Sequence, residues 1–187
     1  MENERLKKQL EFCREIDKEK FIGRQTYKSD AQTKENDAEH AWHMAVMTVL
    51  LSEYANEKID VLKTVTMLLI HDIVEIDAGD TYAYDDKGNE TKRERELAAA
   101  DRIFNILPND QAKMIRGLWD EFEAGETKEA KFSITLDKTQ PIMLNDATDG
   151  RAWMEHGVKK EQIMARNKKT PDGSVEIWDY FENIINK

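Results

Sequence analysis

Apolar residues in this chain recur at three- and four-residue steps rather than in alternation, and little punctuates them: the whole sequence holds 8 Gly and 3 Pro. Such spacing is that of helices burying one side. After Asn36-Asp37, which can cap a helix start, Trp42, Ala45, Val46, Val49 and Leu50 form an apolar stripe. The next segment carries Ile59, Leu62, Val65, Leu69 and Ile73, with Met67, Leu68 and Ile70 making it apolar almost all round, which predicts a central, buried helix. Asp77-Ala78-Gly79-Asp80 follows, then Asp85-Asp86-Lys87-Gly88-Asn89-Glu90, a polar run that reads as an exposed loop. Further helices are predicted near 92–106, 109–124 and 128–148, the last bent where Pro141 lacks its amide donor. A shorter helix near 159–167 and a terminal one after Pro171-Asp172-Gly173, with Val175, Trp178, Phe181 and Ile185 as its stripe, complete an all-α bundle without repeats.

The 187 residues suit one domain spanning 1–187. Lys and Arg number 28 against 38 Asp and Glu, and the resulting net charge of -10 disfavours a nucleic acid polymer as partner. A small phosphate ester needs only a local positive centre and stays open. The lone Cys13 forms no internal disulfide, the N-terminus has no secretory pattern, and apolar runs such as Met67 to Ile70 are far too short to cross a membrane, so a cytoplasmic protein is expected. Trp178, Tyr180, Phe181 and Ile185 near the C-terminus would serve a homodimer contact or fold back on their own core.

Against this background the adjacent His71-Asp72, inside a strongly apolar helix, is anomalous. Burying two ionisable side chains is costly unless a cation compensates. Neighbouring helical residues project about 100° apart, so an ion between them can take a ring nitrogen and a carboxylate oxygen together. His40, at the start of the preceding helix, is a third candidate, although alone it would read as a capping histidine. Asp137 interrupts the apolar face of Leu136, Ile142 and Met143, where the choice lies between a ligand and a partner of Lys138 or an arginine. A mixed His and carboxylate set suits Mn, Co, Fe, Ni or Zn better than Ca or an all-oxygen Mg site. The chain has no glycine-rich phosphate loop, nucleophile elbow or Cys-His pair in local context.

The order Glu39-His40, His71-Asp72 and a distant Asp137 resembles the H…HD…D signature of the HD superfamily of helical, metal-dependent phosphohydrolases. The run from His71 through Glu75 to Gly79-Asp80 is similar to the HDxxExxxGD segment of its 5'-deoxynucleotidase branch, and Asn36 to His43 is similar to that branch's first-ligand helix. The resemblance covers about residues 20–150. It implies a single HD-domain bundle, a divalent metal ion held by His40, His71, Asp72 and Asp137, catalytic roles for Glu75 and Asp80, and phosphate binding by Arg24. Glu75 lies four residues after His71 and three after Asp72, on the same side of a continuous helix. Some relatives follow the arginine with Trp where this chain has Gln25. The pattern gives His43 no metal role, Gly79 a backbone role, and His156 the place of a helix-end residue. The implied substrate is a deoxynucleoside 5'-monophosphate. The alternatives are an HD phosphodiesterase, a nucleotide triphosphohydrolase, or a non-catalytic metal-binding helical module.

Overall fold

A computed structural model describes residues 3–186, the side chain of Asp86 apart. Helix α1 (Glu4–Glu15) is capped by the Asn3 side chain. A 3-10 turn leads from it to a small antiparallel hairpin, β1 (Gly23–Tyr27) and β2 (Lys34–Asn36), paired at Gly23↔Asn36 and Tyr27↔Lys34. The hairpin is an addition to the all-α expectation, since Gly-Arg-Gln-Thr-Tyr carries no apolar alternation.

Helix α2 (Asp37–Leu51) starts in a capping box: Asn36 Oδ1 accepts from the Glu39 amide at 2.9 Å, and Glu39 Oε2 accepts from the Asn36 amide at 3.1 Å. Its orientation overturns the sequence reading. His40, Ala41, Met44, Met47 and Thr48 face inward, whereas Trp42, Val46, Val49 and Leu50 are exposed. The helix is apolar nearly all round from Ala41 to Leu51, so its stripe did not say which side is buried. Helix α3 (Val61–Ile70), capped by Asp60, is central as expected but ends three residues early; His71 to Val74 form a turn before the single-turn α4 (Glu75–Ala78). Gly79 closes α4 at φ 74°, a conformation that favours glycine. The polar run expected as a loop contains a short helix, α5 (Asp86–Glu90), because the Asp85 carboxylate caps it through the Gly88 amide at 3.1 Å.

Helices α6 (Lys92–Phe104), α7 (Asn109–Ala124) and α8 (Lys128–Ala147) fall where predicted, with Pro141 inside α8. Then come α9 (Arg151–Glu155), α10 (Lys160–Arg166) and α11 (Val175–Ile185). Two apolar clusters fill the interior. Met44, Met67, Leu68, Phe132, Leu136, Trp178 and Phe181 form one; Ile70, Ile73, Val74, Ile103, Phe104 and Trp119 form the other. Trp178 and Phe181 are therefore core residues of their own chain, whereas Val175 and Tyr180 of the same helix stay exposed.

Candidate metal centre

The capped start of α2, the turn after α3 and the middle of α8 converge at one place. His40 Nε2 lies 3.2 Å from Asp137 Oδ1, His71 Nε2 lies 3.1 Å from Asp72 Oδ2, and the two rings are 5.8 Å apart. His40, His71 and Asp72 offer ligand atoms within 4.8 Å of one another, and Asp137 Oδ1 is 3.7 Å from His71 Nε2. Four residues separated by up to 97 positions are thus brought together.

Hydrogen bonding fixes how the imidazoles are presented. His71 Nδ1 lies 2.8 Å from the Leu68 carbonyl oxygen, which only accepts, so Nδ1 carries the hydrogen. His40 Nδ1 lies 3.0 Å from Gln140 Oε1, again an acceptor, and the Gln140 amide donates onward to Glu35 Oε1 at 2.7 Å and to His43 Nδ1 at 3.2 Å. Both neutral rings therefore turn an Nε2 lone pair toward Asp72 and Asp137. His71 Nε2 is buried with no hydrogen-bond partner. Two lone pairs facing two carboxylates fit a divalent cation, and imidazole with carboxylate suits a first-row ion.

Without an ion these groups titrate against one another. Burial opposes a charge on His71, but the neighbouring carboxylates of Asp72 and Asp137 outweigh it and hold its pKa well above the ordinary value. His40 is also raised, through Asp137 and Glu35, against burial and the Arg24 charge. Burial works to raise Asp72 and Asp137, yet the two histidines hold both carboxyls below their usual range.

Arg24 reaches this centre from β1. Its Nη1 is 2.8 Å from Asp72 and 3.2 Å from Asp37, and its Nε is 3.7 Å from Glu35. Asp37, fully buried, was taken from the sequence as part of a helix cap; the cap is Asn36, and Asp37 turns inward, its pKa pushed up to about 7 by burial and the Asp72 charge. Glu75 Oε2 is buried and unpartnered, while Oε1 lies 3.9 Å from Lys92 Nζ. Burial, then Asp72, Asp37 and Asp80, push the Glu75 carboxyl up to about 10. Asp80 is raised as well, chiefly by burial.

Arg24, His71, Asp72, Glu75, Asp80 and Asp137 line a cavity of about 310 Å³. The lining also includes Lys138, Pro141, Ile142 and Asn145 of α8, together with Thr81, Tyr82, Tyr84, Trp153 and Arg166. Arg95 of α6 holds the Thr81–Tyr84 wall in place, donating to the Ala78 carbonyl, to Thr81 Oγ1 at 2.8 Å and to the Gly88 carbonyl at 3.2 Å. Glu35, Asp37, Lys92 and Gln140 escaped the sequence reading. Only Gln140 left a trace, as an amide three residues after Asp137 on an otherwise apolar face. His43 points to Gln140 and not to the ion site, and His156 caps the end of α9 against the Tyr82 ring.

A family model described as HD domain matches residues 16–178. Human 5'-deoxynucleotidase HDDC2 is 30% identical over 135 residues, covering 72% of this chain and 65% of the human protein. The matched stretch is thus somewhat under two thirds of that relative. A Dictyostelium discoideum protein of the same name is 30% identical over 140 residues, covering 72% of this chain and 74% of its own length. A solved structure of a predicted metal-dependent phosphohydrolase from Magnetospirillum magnetotacticum is 45% identical with a TM-score of 0.92, covering 98% of this chain and 95% of that one.

Proposed function

Since the chain belongs to the HD domain family, we propose that it is a metal-dependent phosphomonoesterase acting on deoxynucleoside 5'-monophosphates. One observation carries the reading: both Nε2 lone pairs are turned toward Asp72 and Asp137, which line a cavity together with Arg24, Glu75 and Asp80. The names of the relatives point to the same substrate class. His40, His71, Asp72 and Asp137 would hold the ion. When bound, it would neutralise phosphate charge and make a coordinated water more acidic.

The chain's own groups supply the rest. Arg24, held by Asp37 and Asp72, turns its remaining donors toward the phosphate. Glu75, whose Oε2 lacks a partner, handles a proton there, giving it to the departing 5'-oxygen or taking it from the attacking water. Asp80, beyond the Gly79 turn, lines the same cavity and would meet the sugar. Phosphate release from a panel of deoxynucleoside monophosphates, cyclic nucleotides and triphosphates tests the reading. Pyrophosphate or triphosphate as product, diester cleavage, or no metal-dependent turnover would each overturn it.

The partner is a second copy of the chain, docked through the outward faces of α2 and α3. Trp42, Val46, Val49, Leu50, Leu62 and Leu69 are exposed there, and α2 carries no Asp, Glu, Lys or Arg from His40 to Leu51 although the chain's net charge is -10. At on the order of 100 Å² per side chain, they offer roughly 600 Å² per protomer, a large part of the about 800 Å² that a stable interface buries on each side. Sedimentation should give a dimer, and Trp42→Glu with Leu62→Glu a folded monomer; a monomeric wild type would refute the contact. None of the helices among the described residues is long and apolar enough to cross a membrane, and the exposed, unpaired Cys13 suits the reducing cytoplasm.

A further inference from the structure

At the reactive end every cation is already matched: Arg24 with Asp37 and Asp72, Lys92 with Glu96 and Glu75. Elsewhere on the cavity lining two cations lack such partners. Lys138, one residue past Asp137 on the lining face of α8, and Arg166, at the end of α10, both line the cavity. Among the described residues neither takes part in an ion pair or a side-chain hydrogen bond. Lys138 stands near Arg166 and Lys169 as well as Asp137 and Asp172, and Asp137 is committed to His40 and His71. Arg166 is also near Tyr82 and Tyr84. Tyr82 Oη is buried without a hydrogen-bond partner.

A cluster of cations in a chain of net charge -10, joined by an unused phenol donor, is unfavourable unless an anion visits it. Lys and Arg have donors and no acceptor, so they match a phosphate better than the mixed donor and acceptor edge of a base. Asn145 Oδ1, also unpartnered, is an acceptor on the cavity lining and leaves a place for a hydroxyl or amino group. A phosphate chained directly to the reacting one would lie instead among Asp37, Asp72, Glu75 and Asp80, where among the described residues no cation is free.

Resting on the phosphomonoesterase reading above, we propose that Lys138, Arg166 and Tyr82 form a second phosphate subsite, and that the preferred substrate is a deoxynucleoside 3',5'-bisphosphate. Its 5'-phosphate occupies the candidate metal centre and its 3'-phosphate meets Lys138 and Arg166. Water adds to the 5'-phosphorus, the bond to the 5'-oxygen breaks, and that oxygen leaves with a proton. The products are inorganic phosphate and a nucleoside 3'-phosphate.

The test compares dAMP, 2'-deoxyadenosine 3',5'-bisphosphate and dADP on the metal-loaded full chain, and measures calorimetric binding of the same three to metal-depleted protein. The bisphosphate should exceed dAMP in kcat/KM by roughly tenfold, the scale of one hydrogen bond to a charged group. Arg166→Gln and Lys138→Gln should each erode that advantage, and Arg166→Lys should keep more of it than Arg166→Gln. A bisphosphate no better than dAMP, an advantage unchanged in both Gln variants, or an advantage shown by dADP instead would overturn the subsite. Should no nucleotide turn over, the phosphomonoesterase reading falls separately, and the subsite is then decided by whether Arg166→Gln weakens bisphosphate binding while leaving dAMP binding unchanged.

Discussion

Gln140 does not line the cavity, yet its loss should weaken metal binding. It is fully buried, and its amide joins three groups: Oε1 accepts from His40 Nδ1 at 3.0 Å, and Nε2 donates to Glu35 at 2.7 Å and to His43 at 3.2 Å. Gln140→Leu keeps the volume but removes both functions. His40 Nδ1 then has only Glu35 Oε2, at 3.4 Å, within reach, and that carboxylate loses its amide donor. Drawing the Nδ1 hydrogen toward Glu35 would rotate the ring that Gln140 holds. Loss of an outer hydrogen bond to a metal-binding histidine costs about 10- to 100-fold in metal affinity, which is about 1.4 to 2.7 kcal/mol. The unpaired buried groups should also destabilise the fold by roughly 1–3 kcal/mol. Titration calorimetry of Mn²⁺ or Co²⁺ into chelator-treated protein, with urea unfolding in EDTA, separates the two effects. Gln140→Glu provides the contrast, since it restores an acceptor for His40 but sets a second carboxyl against Glu35. Wild-type metal affinity in a folded Gln140→Leu protein would refute the claim that this amide orients His40.

Asp72→Ala should remove most bound metal and nearly all phosphatase activity by elemental analysis and assay; full metal content in the folded variant would exclude Asp72 as a ligand. Glu75→Gln should lower the single-turnover rate by roughly 10²-fold with metal content unchanged, and loss of the ion instead would make Glu75 a ligand. Arg24→Lys keeps the charge but gives up the planar guanidinium, whose Nη1 alone meets Asp37 and Asp72, so kcat/KM should fall by about tenfold or more; equal kinetics would leave Arg24 without a phosphate role. In metal-depleted protein, Glu19 and Asp37 have pKa values raised to about 7, chiefly by burial, and Glu75 to about 10, while His40 and His71 are also raised. The folded state then binds more protons than the unfolded one, so Tm should fall as pH rises from about 5 to 8. Saturating metal, by keeping both imidazoles unprotonated, should flatten that slope, and a Tm that rises with pH in EDTA would contradict the burial of these groups.

The candidate ligands were legible because each is a titratable group set into an apolar helical face, and such anomalies survive in one dimension. Their neighbours were not. Glu35 and Asp37 sit in the polar run around the start of α2, where acids are ordinary, and only the hairpin turns them inward toward Arg24 and His40. Lys92 reads as the solvated start of α6, and its closeness to Glu75 depends on how α6 packs against α4. The inversion of α2 has a similar origin: its inner side must accommodate His40 and Asp37, so the bulkiest apolar residues, Trp42 and Leu50, are left outside. Helix limits were read well where caps are local, as at Asn36, and poorly where the chain turns for the site's sake, as between Ile70 and Glu75.

The grip of Arg95 on the cavity wall has a consequence for how this protein can diversify. Two of its three attachments, to Ala78 and Gly88, are to main-chain carbonyls, which any amino acid supplies. The shape of the wall is therefore largely decoupled from the identities of the side chains it displays, and Tyr82 and Tyr84 can be exchanged while the frame persists. Substrate preference can drift by single substitutions there without unsettling the metal centre, whereas a change at Arg95, in the next helix, would register as a defect in substrate affinity.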